Sequence, residues 1–158
     1  MTEPSPRFLK AKNIRDFTVG KISEAIWKMN WLEKIKFDYM GKNIKVPKEL
    51  QLLDGLKELS IYAKNVNFNT VSNIETLSVQ GCHEIVFSDT TELPKLEKFV
   101  IVSLGEDFNI ASLDLFRVAP KLQNIVVSAY VITRKQKEQL QKKFVGVNII
   151  VEKDVKWL

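Results

Sequence analysis

The stretch Leu56-Lys-Glu-Leu59-Ser-Ile61 decides the fold, because its pattern of apolar, two variable, apolar, one variable and apolar residues recurs along the chain. Leu59 and Ile61 are two residues apart, which is the period at which side chains of a strand return to one face. Ser60 and the other variable residues then point to the opposite face. Each copy therefore predicts a short strand whose apolar side must be covered by the neighbouring copies and by the returning chain.

Six further copies of this pattern are present in the chain. They begin at Ile14, Leu32, Ile74, Leu96, Leu122 and, in a weaker form, Phe144. In that last copy the fourth and sixth positions are Val147 and Ile149. Repeated short strands separated by returning segments favour an α/β chain in which the strands lie parallel to one another.

The segments between the copies predict short helices. These segments are Ile22 to Asn30, Val46 to Leu53, Leu113 to Val118 and the longer, charged Thr133 to Phe144. Ser23 is suited to cap the first of them, and Pro47 is suited to the first turn of the second. Pro120 ends the third, because proline does not continue a helix.

Three longer stretches carry a resemblance to a known family. Val46-Pro-Lys-Glu-Leu50-Gln-Leu-Leu-Asp-Gly-Leu56-Lys-Glu-Leu59-Ser-Ile61 resembles the proline-bearing repeats of the leucine-rich-repeat family, and Glu24 to Ile35 is similar to the same subtype. Leu77-Ser-Val79-Gln-Gly-Cys82-His-Glu-Ile85 resembles the cysteine-containing variant. At the place of the family's asparagine other copies carry Met40, Lys64, Leu104 and Tyr130, so the resemblance concerns architecture rather than subfamily.

The resemblance covers about Ile14 to Val151 and implies a right-handed leucine-rich-repeat solenoid. The expected structure has about six to seven short parallel strands, with short helices or turns on the convex side. We expect residues 1–158 to form a single domain, since 158 residues is an ordinary domain length. Its parts are an N-terminal flank at 1–13, repeats at 14–132, and a C-terminal capping helix with the last strand at 133–158.

Composition and charge narrow the class of protein. The chain is 45% hydrophobic and has a net charge of +5, which is typical of a globular protein with a mildly basic surface. Its single cysteine excludes an intrachain disulfide. No run is long and apolar enough for a signal peptide or a membrane span, so we expect a cytoplasmic protein without a membrane partner. A signal peptide removed upstream of Met1 would change that expectation.

The residues with catalytic potential do not form a recognisable site. Cys82 and His83 are adjacent, so an extended chain would point them to opposite sides, and a zinc site needs further ligands. The resemblance implies that Cys82 turns inward and bonds the backbone, while His83 is expected in solvent. Glu106 and Asp107 are predicted to lie in a solvated loop. We therefore expect no enzyme activity, no cofactor and no bound metal.

The resemblance also implies where a partner would bind, because the variable strand positions of such repeats line a concave face. The expected contact residues are Lys34, Lys36, Asp38, Glu58, Ser60, Tyr62, Ser78, Gln80, Lys98, Val100, Val102 and Val126. Tyr62 is the expected anchor, since aromatic residues are favoured at binding hot spots. The three valines would form an exposed apolar area for a partner or, alternatively, for another copy of the chain.

Two functions follow from these residues. The first is a protein–protein interaction module, acting as a scaffold, adaptor or inhibitor through its concave face. The alternative is binding of nucleic acid or an anionic surface through the basic segment Arg134 to Lys143. Glu138 and three glutamines dilute the charge of that segment, and Leu140 with Phe144 would form its inward stripe. The sequence leaves the partner and the oligomeric state open.

Overall fold

All strands in the described part of the chain are parallel and belong to one sheet. The structure, a computed structural model, describes the backbone of residues 16–19 and residues 24–105, 107–153 and 155 in full. Seven strands lie side by side in the order β1-β2-β3-β4-β6-β7-β8, and β5 pairs with β3 off this path. The chain thus advances by one strand at a time, apart from β5, and returns between strands through short helices and turns. The predicted α/β class and parallel pairing are confirmed.

The strands and helices are mostly short. The strands are β1 (Asp16–Val19), β2 (Lys34–Lys45), β3 (Glu58–Phe68), β4 (Thr76–Gln80), β5 (Glu84–Phe87), β6 (Lys98–Ile101), β7 (Asn124–Ser128) and β8 (Asn148–Glu152). The α-helices are α1 (Leu115–Val118) and α2 (Arg134–Lys143). Three 3-10 helices occupy Glu24–Lys28, Lys48–Leu52 and Ile110–Ser112.

The repeated apolar positions set the register of the sheet. Leu59 pairs with Ile35 on one side and with Leu77 on the other, and the same register continues through β6 and β7. These side chains belong to the buried hydrophobic cluster that fills the space between the sheet and the returning segments. The alternation of apolar and variable residues therefore predicted the pairing correctly for the copies that begin at Ile14 through Leu122.

The register predicted for the last copy is wrong by two residues. Ile149 lies opposite Ile125, and Val151 lies opposite Val127, where the sequence pattern had placed Val147 and Ile149. The chain leaves α2 through a turn in which the amide of Val147 donates to the carbonyl of Phe144 and Gly146 has φ +86°. Val147 is thereby held in the turn. A shift of two keeps every side chain on the same face, so alternation alone does not reveal it.

The strands β2 and β3 continue beyond the predicted copies and form a second ladder with β5. The pairing of β2 with β3 shifts between Tyr39 and Asn43, around Gly41 with φ +70°. Beyond this irregularity Ile44, Val66 and Ile85 lie side by side and are buried. The hexapeptide pattern did not predict this extension, because it ends at Phe37 and Ile61.

The predicted helices are present but shorter, and two of them are 3-10 turns. The turn at Lys48–Leu52 begins after Pro47, which is the residue before the helix and not part of its first turn as predicted. Ser23, the predicted cap of the first helix, lies outside the described residues. In α2 the hydroxyl of Thr133 accepts from the amide of Gln136, whose side chain accepts from the Thr133 amide.

The inward side of α2 is as predicted, with Leu140 and Phe144 buried in the hydrophobic cluster. Phe144 also packs edge-on against the ring of Phe116 of α1, with centroids 5.1 Å apart. In the described part of the chain, no helix is both long and apolar enough to cross a membrane.

Candidate interaction surface

The face of the sheet opposite the core, called here the front face, presents three rows of side chains. The first row is Lys34, Glu58, Thr76, Lys98, Asn124 and Asn148. The middle row is Lys36, Ser60, Ser78, Val100, Val126 and Ile150. The third row is Asp38, Tyr62, Gln80, Ser128 and Glu152. The parallel register therefore brings eleven of the twelve predicted contact residues onto one face, and the twelfth, Val102, comes just after the end of β6.

The middle row is largely closed to solvent. Ser60 and Ser78 are buried, and Val100 and Val126 are only 5% and 4% exposed. Both valines lie outside the hydrophobic core cluster although they are buried. The predicted exposed valine area is thus wrong for these two residues, while Val102 is half-buried. Apart from Ile150 at the β8 end of the middle row, the exposed parts of this surface lie in the first and third rows.

The first row of the front face carries side chains of both charges. Lys34 Nζ lies 3.4 Å from Glu58 Oε2, and both side chains are partly exposed. That carboxylate oxygen is itself buried and makes no hydrogen bond, so the ammonium supplies its electrostatic compensation. Lys98, the first residue of β6, is exposed. A partner at this row meets both signs of charge.

The third row contains a fixed aromatic side chain. The ring of Tyr62 lies over Gly81, so close that a Cβ on that glycine would stand 2.9 Å from Tyr62 Cε2. Gly81 has φ +66°, and its amide donates to the hydroxyl of Ser103 at 2.7 Å. Glycine is needed here both for the backbone conformation and for the ring that packs on it. Tyr62 is half-buried and therefore still offers part of its ring to a partner.

Cys82 follows this turn and faces the core. It is fully buried, and its Sγ donates to the carbonyl of Gln80 at 3.8 Å. Burial raises the pKa of the Cys82 thiol to about 12, although backbone contacts with Ala63 and Gln80 oppose the shift. A neutral, inaccessible thiol is a poor nucleophile. The inward position and the backbone bond predicted for Cys82 are confirmed.

His83 lies in a turn and is partly exposed, but it also has a partner that was not predicted. Its Nδ1 lies 2.5 Å from Asp107 Oδ1, on the next turn of the chain, and its ring covers Gly105. The imidazole is 38% exposed. The pair could not be predicted from the sequence, because the two residues are 24 positions apart. They meet because the loops that contain them lie side by side in the structure, where Cys82 pairs with Leu104. Glu106, the other acidic residue predicted for that loop, lies outside the described residues.

The basic helix α2 displays much of its charge to solvent. Lys135, Lys137 and Lys142 are exposed, whereas Arg134 pairs with Glu138 at 3.2 Å. Lys143 donates to the carbonyl of Ala111 and so ties the helix to the Ile110–Ser112 turn. This surface lies on a returning segment and not on the front face.

A polar groove on the extension of β2, β3 and β5 was not predicted from the sequence. Its volume is about 500 Å³, and its floor includes Asn43, Asn65, Asn67, Lys45 and Glu84. The amide of Asn65 donates to Asn43 Oδ1 at 2.9 Å, so two of these amides satisfy each other. Asn43 and Asn65 form the first residue pair beyond the irregularity at Gly41. The repeat pattern does not contain this irregularity.

Among the residues that the structure describes, no three His, Cys, Asp or Glu side chains are grouped so that they could hold a metal ion. Comparison of the chain with protein-family models, curated proteins and solved structures finds no match.

Proposed function

We propose that the chain is a leucine-rich-repeat solenoid that serves as a protein–protein interaction module, with the front face as its concave binding surface. The observation that carries the proposal is the alignment of the variable strand positions into three rows with a closed middle and accessible flanks. In this role the protein is a scaffold, adaptor or inhibitor and not an enzyme. A cytoplasmic setting fits the lone, buried Cys82.

The chemistry of the flanking rows suits a folded protein or peptide. Lys34 and Lys98 offer positive charge, Glu58 and Asp38 offer negative charge, and Tyr62 adds an aromatic surface held in place by Gly81. Mixed charge around a rigid aromatic anchor is typical of protein interfaces. Nucleic acid, in contrast, favours arginine-rich surfaces with several aromatic residues for stacking.

Two front-face variants test the proposal. Tyr62→Ala removes the anchor, and Lys98→Glu reverses a charge at an exposed position. Lys121→Glu makes the same charge change at an exposed position outside the strands and serves as the matched control. Val100→Glu is unsuitable, because it would place a carboxylate in a buried site.

The measurement is affinity capture from lysate with the wild-type chain and the variants, quantified by mass spectrometry. We expect at least one protein to be captured by the wild type and by Lys121→Glu, and to be lost with Tyr62→Ala and with Lys98→Glu. Circular dichroism confirms that each variant is folded. Equal capture by all four chains would show that the front face is not the binding surface.

The second candidate is binding of nucleic acid or an anionic surface through α2, favoured by the exposed Lys135, Lys137 and Lys142. Replacing these three lysines with glutamine keeps the helix and removes the charge. If this candidate is right, RNA or DNA binding falls steeply with added salt and disappears in the triple variant, while Lys98→Glu leaves it unchanged. If the front face is the functional surface, the triple variant captures the same proteins as the wild type.

A further inference from the structure

The strand β8 lies at one edge of the described sheet. Among the residues that the structure describes, no strand pairs with β8 on the side away from β7. Ile150 is 37% exposed on the front face, and Val151 is 38% exposed on the opposite face. Natural sheets usually protect such an edge with charge, proline, a bulge or a covering segment. Exposed apolar residues on both faces of an edge strand instead suit a strand that acquires a neighbour.

The backbone groups available on this edge follow from the pairing with β7. The amide of Asn148 donates to the carbonyl of Gln123, and the carbonyl of Glu152 accepts from the amide of Ala129. In a strand, alternate residues direct their amide and carbonyl groups to opposite sides. Ile150 therefore faces β7 as well, and the N–H and C=O groups of Ile149 and Val151 face the open side.

The sequence of β8 is complementary to itself when two copies run antiparallel with Ile150 opposite Ile150. Ile149 then stands opposite Val151 of the other copy, and these are the residues with outward amide and carbonyl groups. Asn148 stands opposite Glu152, an amide donor opposite a carboxylate acceptor. Opposed residues share a face of the sheet, so both copies keep their cores on the same side.

The neighbouring registers are poorer. Centring the pair on Ile149 places Asn148 opposite Ile150 and requires an amide from Val147, which is already bonded to Phe144. Centring it on Val151 places Ile150 opposite Glu152, so an apolar side chain faces a charge. The register centred on Ile150 is the one that matches apolar with apolar and polar with polar.

We propose that two copies of the chain associate through antiparallel pairing of β8, with Ile150 at the two-fold axis, so that their sheets become continuous. Because the strand has only five residues, the interface is small and the dimer forms reversibly as the concentration rises. The proposal is independent of the function proposed for the front face, whose charged and aromatic residues lie on β2, β3 and β6.

Crosslinking with single cysteines tests both the dimer and its register. In the proposed register residue 150 forms a non-hydrogen-bonded antiparallel pair, whose Cα separation of roughly 4.5 Å allows a disulfide. Ile150→Cys is therefore expected to give a disulfide-linked dimer under mild oxidation. Val151→Cys is the matched control, since Val151 is equally exposed but faces Ile149 of the other copy. The native Cys82 is buried and does not contribute.

The second measurement is analytical ultracentrifugation of the wild-type chain and of Ile150→Lys over a wide concentration range. The wild type is expected to shift from monomer to dimer, and Ile150→Lys to stay monomeric and folded by circular dichroism, because two lysines meet at the axis. A wild-type chain that is monomeric throughout, or equal crosslinking of the two cysteine variants, would overturn the proposal. Growth past the dimer would also overturn it, because it indicates head-to-tail pairing of β8 with another edge.

Discussion

Arg117 donates from Nη2 to the carbonyl oxygen of Phe87 at 2.6 Å, across 30 residues of sequence. Phe87 is the last residue of β5, and its ring stacks on that of Phe68 at the end of β3. The Nε of the same guanidinium donates to Asp114 Oδ2 at 2.6 Å. One side chain of α1 therefore holds the end of the second ladder, on which the polar groove is built.

Replacing Arg117 with alanine is expected to lower the free energy of unfolding by roughly 1–2 kcal/mol, because a hydrogen bond from a charged donor to a strand-end carbonyl is lost. Arg117→Lys should recover only part of the lost stability, because one ammonium cannot reach both Phe87 and Asp114 in the same geometry. Urea denaturation measures the change. The control is Arg134→Ala, which removes an arginine that is 94% exposed and paired only on the surface. Equal losses in both alanine variants would show that the bond to Phe87 contributes nothing.

Comparing Gly81 with Gly41 separates two causes of destabilisation: the strained backbone conformation, which both positions share, and the close contact with Tyr62, which only Gly81 makes. Both glycines have positive φ, +66° and +70°, but a Cβ at Gly41 would meet no atom within 4 Å. Each alanine variant is expected to lose about 1 kcal/mol of stability for the left-handed conformation. Gly81→Ala should lose more, because its methyl group must displace the Tyr62 ring.

The measurement is the difference between the two unfolding free energies, together with the Tyr62 ring resonances in an NMR spectrum. We expect those resonances to shift in Gly81→Ala and to stay in place in Gly41→Ala. Identical stability losses with an unmoved ring would mean that Tyr62 is not held by Gly81. In that case the front face would lack the rigid anchor on which its proposed function depends.

The strand pairing was predictable from the sequence because a period of two assigns each side chain to a face. Leu59 and Ile61 thus identified their partners Leu77 and Val79 without any knowledge of the turns between them. The same period cannot distinguish a strand from its copy displaced by two residues. That is why the last strand was placed at Val147 and Ile149, and why only the turn at Gly146 corrects it.

The exposure of the candidate surface was less predictable, because it depends on the sizes of neighbouring side chains across strands. Val100 and Val126 occupy outward positions, yet they are only 5% and 4% exposed. The pair of His83 and Asp107 depends on two loops of different length that stack on each other. Such contacts between irregular segments leave no periodic signal in the sequence.

Burial of Cys82 predicts a thiol that is protected in the native state. At pH 8 we expect 5,5′-dithiobis(2-nitrobenzoate) to react with it only as fast as the chain opens, and at once in urea. Cys82 is the single cysteine of the chain, so the reaction has one source. Rapid reaction of the folded protein would contradict the buried position of the thiol.

The raised pKa of Cys82 also predicts how its contribution to stability depends on pH. Below pH 9 the thiol is protonated in both the folded and the unfolded chain, so its full contribution is present. Between about 9 and about 12 the unfolded chain loses the proton and the folded chain does not, so stability falls. By pH 10 the stability advantage of wild type over Cys82→Ala should shrink by about 1 kcal/mol. The comparison with Cys82→Ala cancels the titration of lysines and tyrosines, and an advantage that stays constant from pH 8 to pH 10 would argue against the shift.

The helix α2 depends on its N-cap residue, Thr133, to satisfy one of the free amides of its first turn. Thr133 Oγ1 accepts from the amide of Gln136 at 3.1 Å, so Thr133→Ala should cost about 1 kcal/mol of stability. Gln141→Ala changes an exposed position within the same helix and should be nearly neutral. Urea denaturation compares the two variants, and hydrogen exchange at Gln136 should accelerate only in Thr133→Ala. Leu140 anchors α2 in the core, so we expect the loss of stability in the global unfolding transition. Faster exchange at Gln136 with unchanged global stability would contradict this. It would mean that the start of the helix frays independently of the Leu140 anchor.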